Sequence, residues 1–160
     1  MINPHDYHIL LAEDDDWLRE TFSILLERKR FACTLARDGK ELYELAKSEK
    51  LKQIENLVIV SDTDMPLMDG DRACKKLLEE FPEIYQKRII IGMSDNPENE
   101  KHWKGIEVWQ SFIYKGSEIA NPSSKKNLAE LVFNRMNTTQ VNSGFYINPD
   151  GTYRKSVNQD

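Results

Sequence analysis

The chain has 160 residues, of which 39% are hydrophobic, and this is enough to form one domain with a buried core. Its 22 lysines and arginines and 27 aspartates and glutamates give a net charge of −5, which repels the backbone of nucleic acids, so we expect no direct nucleic acid binding. Because no stretch approaches the ~20 apolar residues of a membrane span and no signal-like segment opens the sequence, we expect no membrane association and a cytoplasmic location.

The sequence alternates between short apolar runs, typical of buried strands, and runs with apolar residues at spacings of three and four, typical of helices. In the first half, these runs predict a strand at Ile9–Ala12, a helix at Trp17–Lys29, a strand at Phe31–Ala36, a helix carrying Leu42, Leu45 and Ala46, and a strand at Asn56–Val60. Asp15 or Asp16 can cap the first helix. The third strand is predicted to be buried on both faces, because its apolar residues follow one another without a break.

The alternation continues in the second half of the chain. The runs there predict a helix from Asp69–Gly70 to Phe81, closed by Pro82, a strand at Arg88–Met93, a short helix at Pro97–Gly105, a strand at Trp109–Tyr114 and a helix at Leu128–Met136. The sequence therefore predicts one domain over residues 1–137 and a C-terminal tail over 138–160. Within the tail, Phe-Tyr-Ile and Thr-Tyr flank Asn-Pro-Asp-Gly, which predicts a short hairpin.

Five strands that alternate with helices predict an α/β fold, a doubly wound five-stranded parallel sheet with helices on both faces. Sheets of this kind bind ligands at the carboxyl ends of their strands. The candidate site residues are therefore the polar residues that interrupt or follow the apolar runs: Glu13, Asp14, Asp62, Ser94 and Lys115.

The three carboxylates of this set favour a divalent cation, because crowded carboxylates repel one another unless their pKa values rise or a cation neutralises them. Magnesium fits best, since it binds a few carboxylates, retains water and commonly bridges to phosphate oxygens, whereas an Asp-x-Asp-x-Asp-Gly loop for calcium is absent from the sequence. Beside Mg²⁺, an aspartate can attack phosphorus and form an acyl phosphate, with Lys115 supplying positive charge and Ser94 a hydroxyl donor.

These residues resemble the receiver domains of two-component response regulators over about Tyr7 to Ile119. The resemblance rests on four features: the acidic pair Glu13-Asp14, the block Asp-x-x-Met-Pro-x-Met-Asp-Gly at 62–70, Ser94, and Lys115. It implies that residues 1–137 form a receiver domain with the flavodoxin-like strand order 2-1-3-4-5.

The resemblance also implies the roles of the acidic residues. Asp62 would accept a phosphoryl group from the phosphohistidine of a sensor histidine kinase or a histidine phosphotransfer protein. Asp14 and Asp62 would hold Mg²⁺, with Glu13 acting directly or through water. The backbone carbonyl of Asp64 would complete the protein ligands.

By the same resemblance, phosphorylation would operate a switch. Ser94 and Lys115 would contact the phosphoryl group, and Phe112 would be the aromatic side chain that turns inward when the hydroxyl moves. The population shift would change the surface that the chain presents to a downstream protein target. The chain would be a signalling switch rather than an enzyme, with at most intrinsic self-dephosphorylation.

Three positions depart from the family's usual pattern. Asp64 and Asp95 add carboxylates near the acceptor, and Gly116 follows the lysine where proline is usual. An added acid can repel an incoming phosphoryl group or a water molecule, so the sequence predicts unusual phosphorylation kinetics. The segment 116–127, which precedes the last helix, is also longer than the family norm.

Two other interpretations remain open from the sequence. A receiver fold that is not phosphorylated could serve only as an interaction module. Asp62-Thr-Asp64 also matches the Asp-x-Asp core of haloacid-dehalogenase-like phosphatases, in which one aspartate is the nucleophile and the other the general acid. Those enzymes resemble one another in placing the metal-binding acidic pair after the lysine, whereas here the acidic pair precedes the nucleophile.

Overall fold

The structure is a computed structural model that describes residues 1–106, 109–139, 145–147 and 153–155. Five of its strands form a central parallel sheet: β1 (His8–Ala12), β2 (Ala32–Ala36), β3 (Leu57–Asp62), β4 (Ile89–Ser94) and β5 (Trp109–Tyr114). The strands lie in the order β2-β1-β3-β4-β5, which confirms the predicted topology. In the parallel register Asp62 pairs with Met93 and Ser94 with Tyr114, so the carboxyl ends of neighbouring strands lie side by side.

Helices and 3-10 turns connect the strands. The helices are α1 (Asp16–Arg28), α2 (Gly39–Ala46), α3 (Glu49–Lys52), α4 (Gly70–Glu80), α5 (Pro82–Tyr85), α6 (Glu100–Trp103) and α7 (Leu128–Thr139). Asp15 caps α1 as predicted, since its Oδ1 accepts a hydrogen bond from the backbone nitrogen of Leu18 at 2.8 Å. The predicted helix at Pro97–Gly105 begins instead as a 3-10 turn, Pro97–Asn99, and α6 ends at Trp103. Among the described residues, no helix has both the length and the hydropathy needed to cross a bilayer.

Two apolar cores lie on opposite faces of the sheet. Along β1, Leu10 belongs to the core that α2 and α4 cover, and Leu11 to the core that α1 and α7 cover. This alternation is what a strand buried on both faces requires, since successive side chains point to opposite sides of the sheet. Burial of each large aliphatic side chain contributes about 1.5–3 kcal/mol.

A tryptophan covers the sheet in the crossover from β4 to β5. Trp103 in α6 has no exposed surface, and its indole ring packs directly on Gly92 of β4. A Cβ atom at Gly92 would lie 2.4 Å from two ring atoms of Trp103, so this position accepts only glycine while the tryptophan is in place.

The tail contains two short strands. β6 (Phe145–Ile147) and β7 (Tyr153–Lys155) pair in the antiparallel direction, in the region where the sequence predicts a hairpin. The predicted turn, 148–151, lies outside the described residues. The domain boundary at residue 137 stays a prediction, and α7 continues across it to Thr139.

A buried arginine joins α3 to the start of β4. Arg88 is 7% exposed, and its guanidinium donates hydrogen bonds to the backbone carbonyls of Ile54 and, at 2.8 Å, Lys52. We expect Arg88→Met to lower the free energy of unfolding by about 2 kcal/mol, because both carbonyls lose a charged donor. Urea denaturation measures the change, and Lys87→Met at the exposed neighbouring position is the control, with an effect within about 0.5 kcal/mol. Equal effects of the two substitutions would contradict this assignment.

Candidate functional site

A lysine side chain that is 9% exposed bridges two buried carboxylates at the carboxyl edge of the sheet. Nζ of Lys115 lies 3.1 Å from Oε2 of Glu13 and 3.1 Å from Oδ1 of Asp62. Glu13 directly follows β1, Asp62 ends β3 and Lys115 directly follows β5, so the parallel arrangement of the strands brings the three side chains together. The two ion pairs join Lys115 to residues that lie 102 and 53 positions earlier in the sequence.

Asp14 adds a third carboxylate to this pair. One oxygen each from Glu13, Asp14 and Asp62 lie within 4.8 Å of one another, and Asp14 is exposed while the other two are buried. With Lys115 as the only ammonium paired with these three groups among the described residues, the cluster has an excess of negative charge. A set of hard oxygen donors with excess negative charge fits a divalent cation such as Mg²⁺, which can approach from the exposed side at Asp14.

The protonation of the cluster follows from its burial. Burial raises the pKa of Asp62 to about 8, the charge of Glu13 raises it as well, and Lys115 opposes both effects. Burial likewise raises the pKa of Glu13 against the opposing effect of Lys115. Burial alone would lower the pKa of Lys115, but the charges of Asp62 and Glu13 outweigh it, so the pKa is raised and the ammonium keeps its proton. Asp62 is therefore the group whose ionisation a bound cation would promote.

Thr63, which follows Asp62, forms hydrogen bonds through both its backbone and its side chain. The backbone nitrogen of Thr63 donates to Oδ1 of Asp62 at 3.0 Å. Its hydroxyl donates to the carbonyl of Met93 at 2.9 Å and accepts from Nε1 of Trp103, also at 2.9 Å. These bonds tie the end of β3 to β4 and to α6, and they limit the movement of the Asp62 carboxylate.

Ser94 lies at the end of the neighbouring strand within a second network. Its hydroxyl oxygen accepts hydrogen bonds from the backbone nitrogen of Asn96 at 3.0 Å and from Nδ2 of Asn99 at 2.9 Å. The same Nδ2 donates to Oδ2 of Asp64 at 2.7 Å. The loop after β3 and the loop after β4 are therefore joined through one amide group.

The structure brings four of the predicted site residues into one cluster. Glu13, Asp14, Asp62 and Lys115 form the acidic cluster described above. The carboxylate of Asp64 is absent from the described acidic cluster and instead accepts the hydrogen bond from Asn99. Phe112 packs, partly buried, against the core on the α2 and α4 face. Sequence reasoning assigned no role to Asn99 or Thr63, because neither residue is a defining position of a known motif.

The sequence model of one protein family, the response regulator receiver domain, matches residues 9–119. The chain belongs to this family. Receiver domains are signalling domains of two-component systems, and the matched range includes each of the acidic cluster residues. Family membership argues against the phosphatase alternative.

Curated relatives of this receiver domain are response regulators. The alkaline phosphatase synthesis transcriptional regulatory protein PhoP of Bacillus subtilis is 27% identical over 136 residues, which cover 77% of this chain and 55% of PhoP. The transcriptional regulatory protein CseB of Streptomyces coelicolor is 33% identical over 73 residues, which cover 46% of this chain and 29% of CseB. The chain thus spans about half or less of the length of these relatives.

Solved structures share the fold of this receiver domain. The chemotaxis response regulator CheY4 of Vibrio cholerae has a TM-score of 0.62 and 21% identity, and the match covers 81% of this chain and 97% of that chain. TrrA of Thermotoga maritima, solved in complex with Mg²⁺-BeF, has a TM-score of 0.60 and 16% identity, with 81% and 98% covered. These structures support the doubly wound topology seen here.

Proposed function

We propose that this receiver domain is a phosphorylation-dependent signalling switch in which Asp62 accepts a phosphoryl group from a histidine kinase or a histidine phosphotransfer protein. The observation that carries the proposal is the position of Asp62, buried at the end of β3 between Lys115 and the acidic pair Glu13-Asp14. In a member of a signalling family, this arrangement supports transfer to a carboxylate better than turnover of a substrate.

The donor set fits Mg²⁺, and the TrrA structure is a complex of a protein of the same fold with Mg²⁺-BeF. Asp14 and Asp62 would hold the ion, with Glu13 acting directly or through water and the backbone carbonyl of Asp64 completing the protein ligands. When bound, the ion supplies positive charge to the phosphoryl oxygens and favours the ionised form of Asp62.

In the transfer step, a lone pair on the ionised Asp62 carboxylate forms the new O–P bond. The P–N bond of the donor phosphohistidine breaks, and its electron pair stays on the imidazole nitrogen, which takes a proton from solvent. Lys115 already contacts Asp62 and compensates negative charge on the transferring group. Ser94 donates its hydroxyl hydrogen to a phosphoryl oxygen, and Phe112 then moves from its partly buried position to complete the switch.

Labelling with acetyl phosphate and Mg²⁺, followed by intact mass measurement, tests this proposal. The wild-type chain is expected to gain one phosphoryl group, and Asp62→Asn is expected to gain none. Asp16→Asn is the matched control, because that exposed aspartate pairs only with Arg19 among the described contacts and should leave labelling unchanged. Removal of Mg²⁺ with EDTA should abolish labelling of the wild type. A wild-type chain that gains no label would overturn the proposal and favour an unphosphorylated interaction module.

The proposed output is a change in the surface offered to a downstream protein. With a net charge of −5, the chain is a poor electrostatic match for nucleic acid, so we place the target among proteins. We assign the switch to residues 1–137 and treat 138–160 as a tail outside it.

A further inference from the structure

The side chain of Asn99 is buried between the two loops that border Asp62. It is 6% exposed although it lies in a 3-10 turn at the protein surface. We propose that Asn99 is a positioning residue, which fixes the Ser94 hydroxyl so that its hydrogen points to the phosphoryl group. This inference rests on the proposed function of Asp62.

The amide of Asn99 is fully used as a donor. A side-chain amide nitrogen carries two hydrogens. One is directed to Oγ of Ser94 at 2.9 Å and the other to Oδ2 of Asp64 at 2.7 Å. A hydrogen bond to a carboxylate is stronger than one to a neutral acceptor, so Asp64 holds the amide in this orientation. The carboxylate of Asp64, one of the departures from the family's usual pattern, thus orients the amide of Asn99.

The hydroxyl of Ser94 is fully used as an acceptor. A serine hydroxyl has two acceptor lone pairs and one hydrogen. The lone pairs face the backbone nitrogen of Asn96 at 3.0 Å and Nδ2 of Asn99 at 2.9 Å, which leaves the hydrogen as the one group still able to form a bond. Because Ser94 is only 1% exposed, water has little access to turn the hydroxyl to another orientation.

The two hydrogen bonds to Ser94 affect phosphoryl transfer because a hydroxyl without such partners can rotate and can act either as an acceptor or as a donor. With both lone pairs occupied, Ser94 can meet the phosphoryl group only as a donor, the role that the charge of that group requires. Without the Asn99 amide, one lone pair is open and the hydroxyl has further orientations that do not donate to the phosphoryl group. Asn99 therefore affects the rate of phosphoryl transfer by orienting the Ser94 hydroxyl.

A double-mutant cycle on the acetyl phosphate labelling rate tests this dependence. We expect Asn99→Ala to slow labelling about tenfold in the wild-type background, since a misplaced reacting group costs up to ~100-fold. In the Ser94→Ala background, the same substitution should change the rate by less than about twofold. A residue that only stabilised the loop would slow both backgrounds equally.

Glu98→Gln is the matched control in the same loop. The side chain of Glu98 is exposed, and the substitution keeps the backbone nitrogen that donates to Oδ1 of Asn96. Labelling of this variant should proceed at the wild-type rate. Asn99→Leu is a second variant of nearly unchanged size, whose uncharged side chain has no N–H to donate to Ser94 or Asp64. It should slow labelling at least as much as Asn99→Ala.

The outcomes separate this inference from the proposed function. If the wild type takes an Asp62-dependent label and Asn99→Ala slows it equally with and without Ser94, or not at all, the positioning role is overturned and the acceptor role is kept. If the wild type takes no label, the proposed function itself fails. Should Asn99→Ala not fold by circular dichroism, Asn99→Leu serves as the test in the same cycle.

Discussion

Asp62→Asn is expected to raise the free energy of unfolding by about 2 kcal/mol at pH 8 in the absence of divalent cations. Burial and the charge of the neighbouring Glu13 disfavour the ionised form of the Asp62 carboxylate. They raise its pKa to about 8. Asparagine keeps the shape of the side chain and removes the charge. In this variant Lys115 loses one of its two carboxylate partners. The gain in the free energy of unfolding is therefore smaller than the pKa shift alone would give.

The stability difference between the wild type and Asp62→Asn depends on pH because the pKa of Asp62 differs between the folded and the unfolded chain. Asp62 binds its proton more tightly in the folded chain than in the unfolded chain, whose aspartates have a pKa of about 3.9. As pH rises from about 4 to 8, the unfolded chain releases this proton first, and the wild type loses stability relative to Asp62→Asn. The gap between the two proteins should therefore be small near pH 4, grow up to about pH 8 and then level off.

Urea denaturation in EDTA at several pH values measures this gap. Added Mg²⁺ should narrow it, because the ion stabilises the ionised carboxylate only in the wild type. Asp16→Asn, at an exposed site, is the control and should show little change across the same pH range. An Asp62→Asn variant that is less stable than the wild type at pH 8 in EDTA would show that the charge of Asp62 stabilises the fold.

Gly70→Ala is expected to lower the free energy of unfolding by about 3 kcal/mol and to reduce labelling of Asp62. A Cβ atom at Gly70 would lie 1.9 Å from the backbone carbonyl oxygen of Asp62 and 2.3 Å from the hydroxyl of Ser61. The first residue of α4 therefore packs directly on the backbone that carries the acceptor. The chain can admit an extra methyl group only by moving that backbone, which displaces the carboxylate as well.

Gly105→Ala is the matched control for this substitution. Apart from Gly105 and its chain neighbours, no atom of the described residues lies within 4 Å of a Cβ placed at Gly105, so the change should stay within about 0.5 kcal/mol. Urea denaturation of both variants gives the energies, and acetyl phosphate labelling of the folded protein gives the effect on the site. A Gly70→Ala variant with wild-type stability and wild-type labelling would contradict this prediction. It would show that α4 can move away from the end of β3 at no cost in stability or in labelling of Asp62.

The topology could be predicted from the sequence because the strands are short apolar runs with abrupt polar ends. Asp62 follows such a run, and Lys115 follows another, so the rule that parallel strands end at one edge predicted their proximity without any knowledge of contacts. The short helices α3 and α5 were missed, since four residues make too few turns to show a helical period.

The side-chain networks of the site could not be predicted from the sequence. The bond from Asn99 to Ser94 depends on how a short 3-10 turn folds back over the edge of the sheet, and no periodicity encodes that path. The double contact of Lys115 with Glu13 and Asp62 likewise depends on side-chain conformation within a buried space. Sequence reasoning predicted which residues lie at this edge of the sheet, whereas the partners of each side chain required the packed structure.

The contact between Gly92 and Trp103 links the sizes of two residues that are eleven positions apart. Any larger side chain at position 92 requires a smaller one at position 103, since the indole ring already occupies the volume above the glycine. The two positions are thus expected to change together during evolution. Among related sequences, substitutions of the glycine should accompany loss of the tryptophan, and a chain with both a large residue at 92 and tryptophan at 103 would need a different path between β4 and β5.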